Sequence, residues 1–517
     1  MKKYSDLEYL RLSKWNRFVY TLICTICAIP SGIVSLCKKI GLVIAKFFTG
    51  VKNEFVDIFV TFRDGDWKTR VSFVVMGFGN IARGQVLRGL LFLLMEVVFI
   101  VYMFFGGAYW MSMLPSLGKL GPVTTYDPIL DVPSTTYNDN SFKILLYGVL
   151  TMFFIVGVIF TWRVNIKQNK ISEQIIKSGK KLKSGKDDLR SLVDDKFHAT
   201  LLSLPLMGIL IFTVMPIIFM ILVAFTNYDS LHNGYTNNLF TWVGMENFNT
   251  MLNWTGGNKA YAATFGEILA WTLMWAFFAT FTNYFLGMFV AIMINKKGIK
   301  IKKFWRTVLV MTIAIPQFVS LLYVAKLFDA TGIIGKLLLN WGLIPDSMIA
   351  ANNLSLWSDP TSARILVIIL NIWVGIPYIM LMATGILMNI PQDLYESARI
   401  DGASSVQQYT KITLPYMMFV MGPYLLTSFV GNLNNFNVIY LLTGGNPLNT
   451  AIGMAGGVSV GSTDLLITWL YKMTLNSAES KYYMASVIGI LVFLVVAVLS
   501  LIVYNVIPST KNEEDYS

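Results

Sequence analysis

The sequence predicts an all-α polytopic membrane protein with about eight transmembrane helices. Three observations predict it. Of 517 residues, 55% are hydrophobic and 14% charged, whereas soluble domains carry about 25% charged residues. The apolar residues come in continuous blocks of about 20 or more, the length that crosses a hydrocarbon core of about 30 Å as a helix; the strands of a membrane barrel would be short and alternating. Basic residues collect in every second loop, the distribution of the positive-inside rule.

The spans are expected at about 89–113, 144–162, 200–226, 268–294, 306–328, 364–388, 416–441 and 484–507. The 163–198 loop carries ten Lys/Arg and the 295–305 loop five, while the loops at 114–143, 227–267, 329–363 and 442–483 hold one or two each. The basic loops are therefore assigned to the cytoplasm, and with them residues 389–415 and the tail KNEEDYS. The net charge of +12 follows this loop pattern, which argues against nucleic acid as its partner.

The first 88 residues form an N-terminal extension. Arg63, Lys68, Arg70, Arg83 and Arg88 put residues 63–88 in the cytoplasm, and the basic start MKKYSDLEYLRLSKWNR agrees. Residues 18–62 then cross either twice or not at all. Ile40, Val43, Ile44, Phe47, Val51, Phe55, Ile58 and Phe62 recur at three- and four-residue spacing, with Lys39, Lys46, Lys52, Glu54 and Asp57 between them. That pattern favours an amphipathic helix on the membrane surface and no crossing. Residues 18–37 are long enough to keep the two-crossing alternative open.

Several chemistries are excluded. Cys24, Cys27 and Cys37 form no disulfide framework, and the C-x-x-C lies in an apolar stretch with no second pair. Two histidines, His198 and His232, cannot build a histidine-rich metal site. The first apolar stretch is followed by Cys-Lys-Lys rather than a small-residue cleavage site, so no cleavable signal peptide is expected. A phosphate-binding loop needs correctly spaced glycines before Lys and Ser/Thr. The nearest approach, SGKKLKSGKDD at 178–188, has its glycines one residue too far apart and Asp after Lys186, and it reads as a solvated basic loop.

Residues 391–415 contain YESARIDGASSVQQYTKITLP. Pro391 ends the preceding helix, Asp393 suits the first turn of a new one, and Gly402 ends or bends it by tolerating backbone angles other residues avoid. A second helix is expected from about Ser404 to Thr413, until Pro415 announces the next span. A compact helix–turn–helix on the cytoplasmic face suits a groove on a soluble partner. Glu396-Ser-Ala398, Asp401-Gly402-Ala403 and Ile412-Thr-Leu414-Pro415 resemble the EAA signature of importer-type ABC permeases, with Ser397 where alanine is usual. From about 266 to 507, WSDPTSARILVIILNIWVGIPYIM and FNVIYLLTGGNP extend the resemblance to the larger permease subunits of maltose/maltodextrin transporters.

The resemblance implies a type I ABC importer permease fold in a bacterial plasma membrane, with both termini cytoplasmic. It implies a transport subunit rather than an enzyme. Its partners would be a second, different permease subunit, two ATPase subunits that bind ATP and Mg, and an extracellular solute-binding protein. Glu396, Ala398, Asp401, Gly402, Ala403, Leu414 and Pro415 would form the coupling element against the ATPase. Residues 1–88 then form a cytoplasmic or interfacial extension, 89–198 two spans and a basic loop, and 199–517 the core permease domain. The 227–267 loop, about 41 residues, leaves no room for the large external domain of enterobacterial members.

Polar residues deep in a span are costly and either functional or satisfied by a neighbouring helix. Asn371, Gly375 and Tyr378 fall at i, i+4, i+7 in one span, and Ser428, Asn432 and Asn435 do so in another, so each set lines one helix face. Amides and hydroxyls match sugar hydroxyls, which both donate and accept, and no fixed charge accompanies them. Interhelical hydrogen bonding, or packing at Gly375, would explain the same spacing. The resemblance places these positions at the family's sugar contacts, which implies an oligosaccharide, maltodextrin or maltose first. Ile313, Gln317 and Gly431 depart from the maltose pattern, removing two aromatic platforms; a roomier site for a longer or different oligosaccharide fits. The rival classes are an importer of another small solute and an ion-driven transporter using Glu96, an acid with no partner acid at matching depth.

Overall fold

The computed structural model describes residues 41–506 apart from 43–44, 47, 128–131, 183, 256–258, 297, 344–354, 456–457 and 476–479. The expectations for residues 18–37, for Cys24, Cys27 and Cys37, and for the tail KNEEDYS lie outside the described residues. Among the described residues, seven helices are long and apolar enough to cross a membrane, and one bent pair brings the number to as many as eight. The expected polytopic helical architecture is the one the chain adopts. It divides into two compact units, one running up to Met111 and including Leu150–Gly208, the other holding Ser112–Val149 and Ile209 onward.

In the first unit, helix α1 (48–64) is followed by short helices α2 (Trp67–Val71) and α3 (Phe78–Ile81), then by the span α4 (Val86–Met113) and the long helix α5 (Ser141–Lys177). Helix α5 continues well past the expected end of its span near residue 162. Its extension is a polar spine in which Asn165, Asn169, Ser172 and Glu173 are buried. The segment between α1 and α4 wraps this spine. Arg83, its side chain buried, donates to Asp66 at 2.5 Å, Thr69 at 2.6 Å and Asn169 at 2.7 Å. Gly77 donates its N–H to Asn165 Oδ1 at 3.0 Å. Gly77 is left-handed (φ +81°), and a Cβ there would lie 2.0 Å from the Gly89 carbonyl, so only glycine fits. Glu96, the candidate ion site, accepts the Met76 N–H at 2.7 Å and so ties this segment to α4.

Helix α1 is amphipathic as expected over its described part. Phe48, Phe55, Phe59 and Phe62 are exposed. On another side, Asp57 accepts from Arg163 at 2.6 Å and Lys170 at 2.5 Å, and Glu54 pairs with Arg163. The acids of α1 are thus bolted to α5 at two points about two turns apart, Arg163 and Lys170.

In the second unit the central element is α9 (Lys259–Asn295), which follows the span α7 (Phe197–Val223) and short helix α8 (Glu246–Leu252); helix α6 (Gly185–Val193) precedes α7 in the chain. Trp271, Trp275, Ala276, Ala279, Tyr284 and Met288 of α9 are buried. Small residues let helices approach closely in a membrane, where hydrophobicity alone does not drive association. A Cβ on Gly287 would lie 2.5 Å from Ile379 of α13 (Pro360–Leu387), so these two helices meet nearly backbone to backbone. A two-stranded hairpin, β1 (Val123–Asp127) with β2 (Val132–Thr136), joins the ends of α4 and α5, and a second small pair, β3 (Met454–Ala455) with β4 (Val458–Ser459), precedes α17 (Leu466–Leu475) and the final span α18 (Tyr482–Val506). Neither hairpin was expected from the apolar blocks, because strands of two to five residues in loops leave no mark on a span-length pattern.

Two expected spans are broken. The 306–328 block is a pair, α10 (Lys302–Ala314) and α11 (Gln317–Leu327), bent by 94°. Pro316 disfavours helical geometry in the residue before it, and Ile315 is extended (φ −79°, ψ 128°); α12 (Ile333–Asn340) follows. The 416–441 block ends at Leu433 and resumes as α16 (Phe436–Leu442). Conversely, the separate helix expected at 404–413 is continuous with its span as α15 (Ser405–Leu433). Pro415 does not end it, because Tyr409–Thr413 is a widened turn in which Leu414 N–H bonds to the Tyr409 carbonyl. The same device, Leu210–Val214, sits two residues ahead of Pro216 in α7. A wide turn moves aside the carbonyl that a proline ring would otherwise meet.

The Lys170 and Arg163 hydrogen bonds hold the Asp57 carboxyl below the ordinary aspartate range. A depressed folded pKa contributes stability that is present above the unfolded value, about 3.9, and is lost as pH falls through the lower folded value. Hydrogen-exchange protection factors in residues 48–64, taken relative to the unfolded chain at each pH, should therefore be high at pH 7 and fall as pH drops below about 4. Asp57→Asn should exchange fast already at pH 7; protection equal to wild type in that variant would show that the ion pairs do not hold α1.

Candidate functional site

Helix α13 carries Asn371, Gly375 and Tyr378 in register, and the three meet different surroundings. Asn371 is buried, and among the described residues its carboxamide has no hydrogen-bond partner; its backbone carbonyl lies 3.5 Å from Asn283 Nδ2 of α9. Gly375 packs on that same amide, where an added Cβ would sit 2.4 Å from Nδ2. Asn283 donates to the Ala279 carbonyl at 2.8 Å, and its Oδ1 is buried without a partner. Tyr378 is 50% exposed, with its ring 6.1 Å from that of Tyr424 on α15. Tyr424 lies one turn before Ser428 on the same helix.

The second set is a joint between two helices. Asn432 donates to Thr280 Oγ1 at 3.0 Å and accepts from Asn435 Nδ2 at 3.2 Å. Its backbone carbonyl, at the end of α15, accepts the Asn435 N–H at 3.2 Å and the Trp275 indole N–H at 3.1 Å. Asn435 caps α16 by accepting the Val438 N–H at 3.3 Å. The structure thus joins Tyr378 to Tyr424, Asn432 to Asn435 and Thr280, and Asn371 and Gly375 to Asn283. Thr280, Asn283 and Tyr424 were missed by the sequence reading. The signal was there: Thr280 and Asn283 are three residues apart in α9, and Tyr424, Ser428 and Asn432 repeat at four. Ile313 and Gln317 are exposed on either side of the α10–α11 bend.

No Asp, Glu, Lys or Arg occurs in 268–294, 365–387 or 414–442. Among the described residues no three His, Cys, Asp or Glu side chains cluster as a metal site would need. The chemistry on offer is neutral hydrogen bonding beside aromatic rings.

The coupling candidates form a closed turn. Helix α14 (Gln392–Ile400) begins after Pro391 with Asp393 in its first turn. It ends with Gly402 at φ +74°, where the Gly402 N–H bonds to the Arg399 carbonyl at 3.0 Å and the Ala403 N–H to the Ala398 carbonyl at 2.8 Å. This pairing satisfies the last carbonyls of a helix and needs a left-handed residue, usually glycine. Ser404 and Gln407 then exchange a reciprocal capping pair that starts α15. Tyr395 OH and Thr413 Oγ1, 2.8 Å apart, tie α14 to the base of α15. Glu396, Asp401, Gly402 and Pro415 are exposed, and Ala398, Ala403 and Leu414 half-buried. Ile400 and Val406, 86% and 70% exposed, present apolar surface beside Gly402.

Comparison with known proteins adds the following. A family model described as a binding-protein-dependent transport system inner membrane component matches residues 283–512. The galactooligosaccharides transport system permease protein of Bacillus subtilis (strain 168) is 33% identical over 443 residues, which cover 85% of this chain and 97% of that protein. The maltodextrin transport system permease protein of Streptococcus pneumoniae serotype 4 is 31% identical over 445 residues, 84% of this chain and 94% of that protein. The maltose/maltodextrin transport system permease protein of Escherichia coli (strain K12) is 32% identical over 276 residues, 53% of this chain and 50% of that protein.

Gly375 and Asn283 supply a packing test. Gly375→Ala should drive a methyl into the buried amide and cost about 1–3 kcal/mol, the usual penalty of overpacking. Asn283→Ala added to it should recover most of that loss in a thermal-unfolding assay of the purified protein. If the double variant is no more stable than Gly375→Ala alone, the two residues do not meet as described.

Proposed function

The chain belongs to the family of binding-protein-dependent transport system inner membrane components, and from that membership we propose that it is the sugar-conducting permease subunit of an ATP-driven importer of neutral oligosaccharides, maltodextrin or maltose first. The observation that carries the substrate class is the uncharged face of Asn371, Tyr378, Tyr424 and Ser428. Half-exposed tyrosines offer ring surface to a sugar's apolar face, and the free Asn371 carboxamide can both donate and accept. A net gain of about 0.5–1.5 kcal/mol per hydrogen bond suits a transit site, which must hold its cargo and still release it. Asn432 and Asn435 act in this reading through the α15–α16 joint, turning a spare amide edge toward the sugar. Galacto-oligosaccharides are the second candidate, favoured by the 33% identical relative that spans nearly the whole chain. An ion-driven mechanism finds little support in Glu96, which is committed to Met76.

The proposed assembly has a second, different permease subunit, two ATPase subunits holding ATP and Mg, and an external solute-binding protein. The 391–415 element faces the cytoplasm, as do both termini, and docks in a cleft of one ATPase. Glu396, Ala398, Asp401, Gly402, Ala403, Leu414 and Pro415 shape that surface, and Ile400 and Val406 join it as apolar contacts that association would remove from water.

Uptake by the assembled, reconstituted importer tests both parts. Asn371→Leu should raise the half-saturating sugar concentration about two- to tenfold, the equivalent of one hydrogen bond, and Tyr378→Ala should do at least as much, both with basal ATP hydrolysis intact. Unchanged uptake of malto- and galacto-oligosaccharides in both variants would take this face out of the pathway. Gly402→Val puts a β-branched residue at φ +74°. It should insert normally yet lose sugar uptake and sugar-stimulated ATP hydrolysis; wild-type coupling in that variant would rule out the turn as the transmission element.

A further inference from the structure

A groove of about 420 Å³ opens between α9 and α13, lined by Trp271, Met274 and Phe278 from one helix and Thr361, Arg364, Ile365, Ile368 and Ile369 from the other. Its apolar side chains are exposed: Met274 52%, Phe278 40%, Ile365 54% and Ile369 53%. At its head stands one cation. Arg364 donates from Nε to the Ser462 carbonyl at 2.7 Å, and its guanidinium carbon lies 4.7 Å from the centre of the Trp271 ring. These two contacts fix the plane of the group. They leave its two terminal nitrogens, with four N–H donors, without a partner among the described residues. Glu267, one turn before Trp271 on α9, accepts from Asn449 at 2.7 Å and forms no ion pair with Arg364.

Depth decides what such a site can hold. Helix α13 has 28 residues, about 42 Å at 1.5 Å per residue, against a hydrocarbon core of about 30 Å. Arg364 is four residues from its Pro360 end, about 6 Å along the axis, which puts the guanidinium at the polar edge of the leaflet opposite residues 391–415. From there the groove follows α9 from Trp271 to Phe278, about 10 Å toward the midplane. A planar guanidinium with an open fork is the side chain suited to bidentate phosphate contact. Arg364 is the charged residue in the groove's lining, and its open donors favour an anionic headgroup, with Glu267 outside that lining and held by Asn449. We propose that this groove is a binding site for an anionic phospholipid, its phosphate on the Arg364 terminal nitrogens and one acyl chain along Met274, Phe278, Ile365 and Ile369. The proposal requires only that α13 cross the membrane, and it stands or falls separately from the identity of the sugar.

The test compares the full-length chain in neutral detergent with the transporter assembled in nanodiscs. Each receives dioleoylphosphatidylglycerol, dioleoylphosphatidylcholine or inorganic phosphate, with thermal unfolding and lipid retained in native mass spectrometry as readouts. Phosphatidylglycerol should raise Tm by about 2–4 °C and remain bound, phosphatidylcholine should do so less, and phosphate alone should do neither. Arg364→Gln should abolish the preference, Arg364→Lys should keep part of it, and Ile369→Trp, which fills the channel and leaves the cation in place, should also abolish it. If Arg364→Gln folds poorly, the Lys and Trp variants carry the test. An equal response to phosphatidylglycerol in wild type and Ile369→Trp would overturn the proposal. So would a phosphate effect as large as the lipid's, or a preference in the isolated chain that vanishes in the assembled transporter, which would make the groove a subunit contact.

Discussion

Within hydrocarbon no water is present to receive a backbone N–H or carbonyl, so every polar backbone group must find its partner inside the protein. The most consequential answer to that constraint here is the hydrogen bond from the Trp275 indole to the Asn432 carbonyl. Together with the Asn435 N–H, which bonds to the same carbonyl at 3.2 Å, it satisfies the Asn432 carbonyl where α15 stops at Leu433. Once the helix can stop, Asn435 can start the next one as its cap, and Asn432 is held between Asn435 and Thr280. A polar joint is thereby placed where an unbroken helix would offer only its side-chain stripe. Trp275 is fully buried on α9, so the same residue that donates to the joint's Asn432 carbonyl also packs the core behind it.

The α9–α13 contact is the second condition for the candidate site. Gly287 against Ile379 and Gly375 against Asn283 bring these helices too close for larger side chains. Close approach buries Asn371 and leaves Tyr378, about two turns further along the same face, to project toward Tyr424. The i, i+4, i+7 pattern in α13 is thus a mixture. Gly375 serves the packing, Tyr378 is free, and Asn371 contributes its carbonyl side to the helix contact while its carboxamide stays unengaged.

Much of this was legible in the sequence, for reasons that are physical. Blocks of about 20 apolar residues have one stable outcome in a bilayer, so the spans were readable. The turn at Gly402 was readable because a left-handed residue after a short amphipathic helix is a local property. The breaks were less readable. Pro316 bends its helix by 94°, while Pro415, in similar apolar surroundings, is absorbed by a widened turn. The two prolines look alike in sequence and differ in what the neighbouring turn can accommodate. Partners were the least legible. Nothing local in Asn432 says that Thr280, 152 residues away, will receive its amide, and the polar spine of α5 in the first unit lay hidden inside what read as a basic loop.

The two kinds of site then differ in how much they depend on tertiary structure, and this bears on how such a chain can change its cargo. The 391–415 element is closed by its own hydrogen bonds, within α14, the Gly402 turn and the Ser404–Gln407 cap, with one tether from Tyr395 to Thr413. Its shape can persist whatever happens in the membrane above it. The polar face is a composite of α9, α13 and α15, and few of its residues are free of structural duty. Substituting Asn432 or Gly375 disturbs a helix joint or a helix contact before it alters recognition. Tyr378, Tyr424, Ser428, Ile313 and Gln317 are the positions where side chains can vary at little cost to packing. On the proposed reading, a permease built this way keeps its coupling surface and its membrane joints fixed while selectivity shifts through that small set, which includes Ile313 and Gln317, two positions expected from the sequence to depart from the maltose pattern.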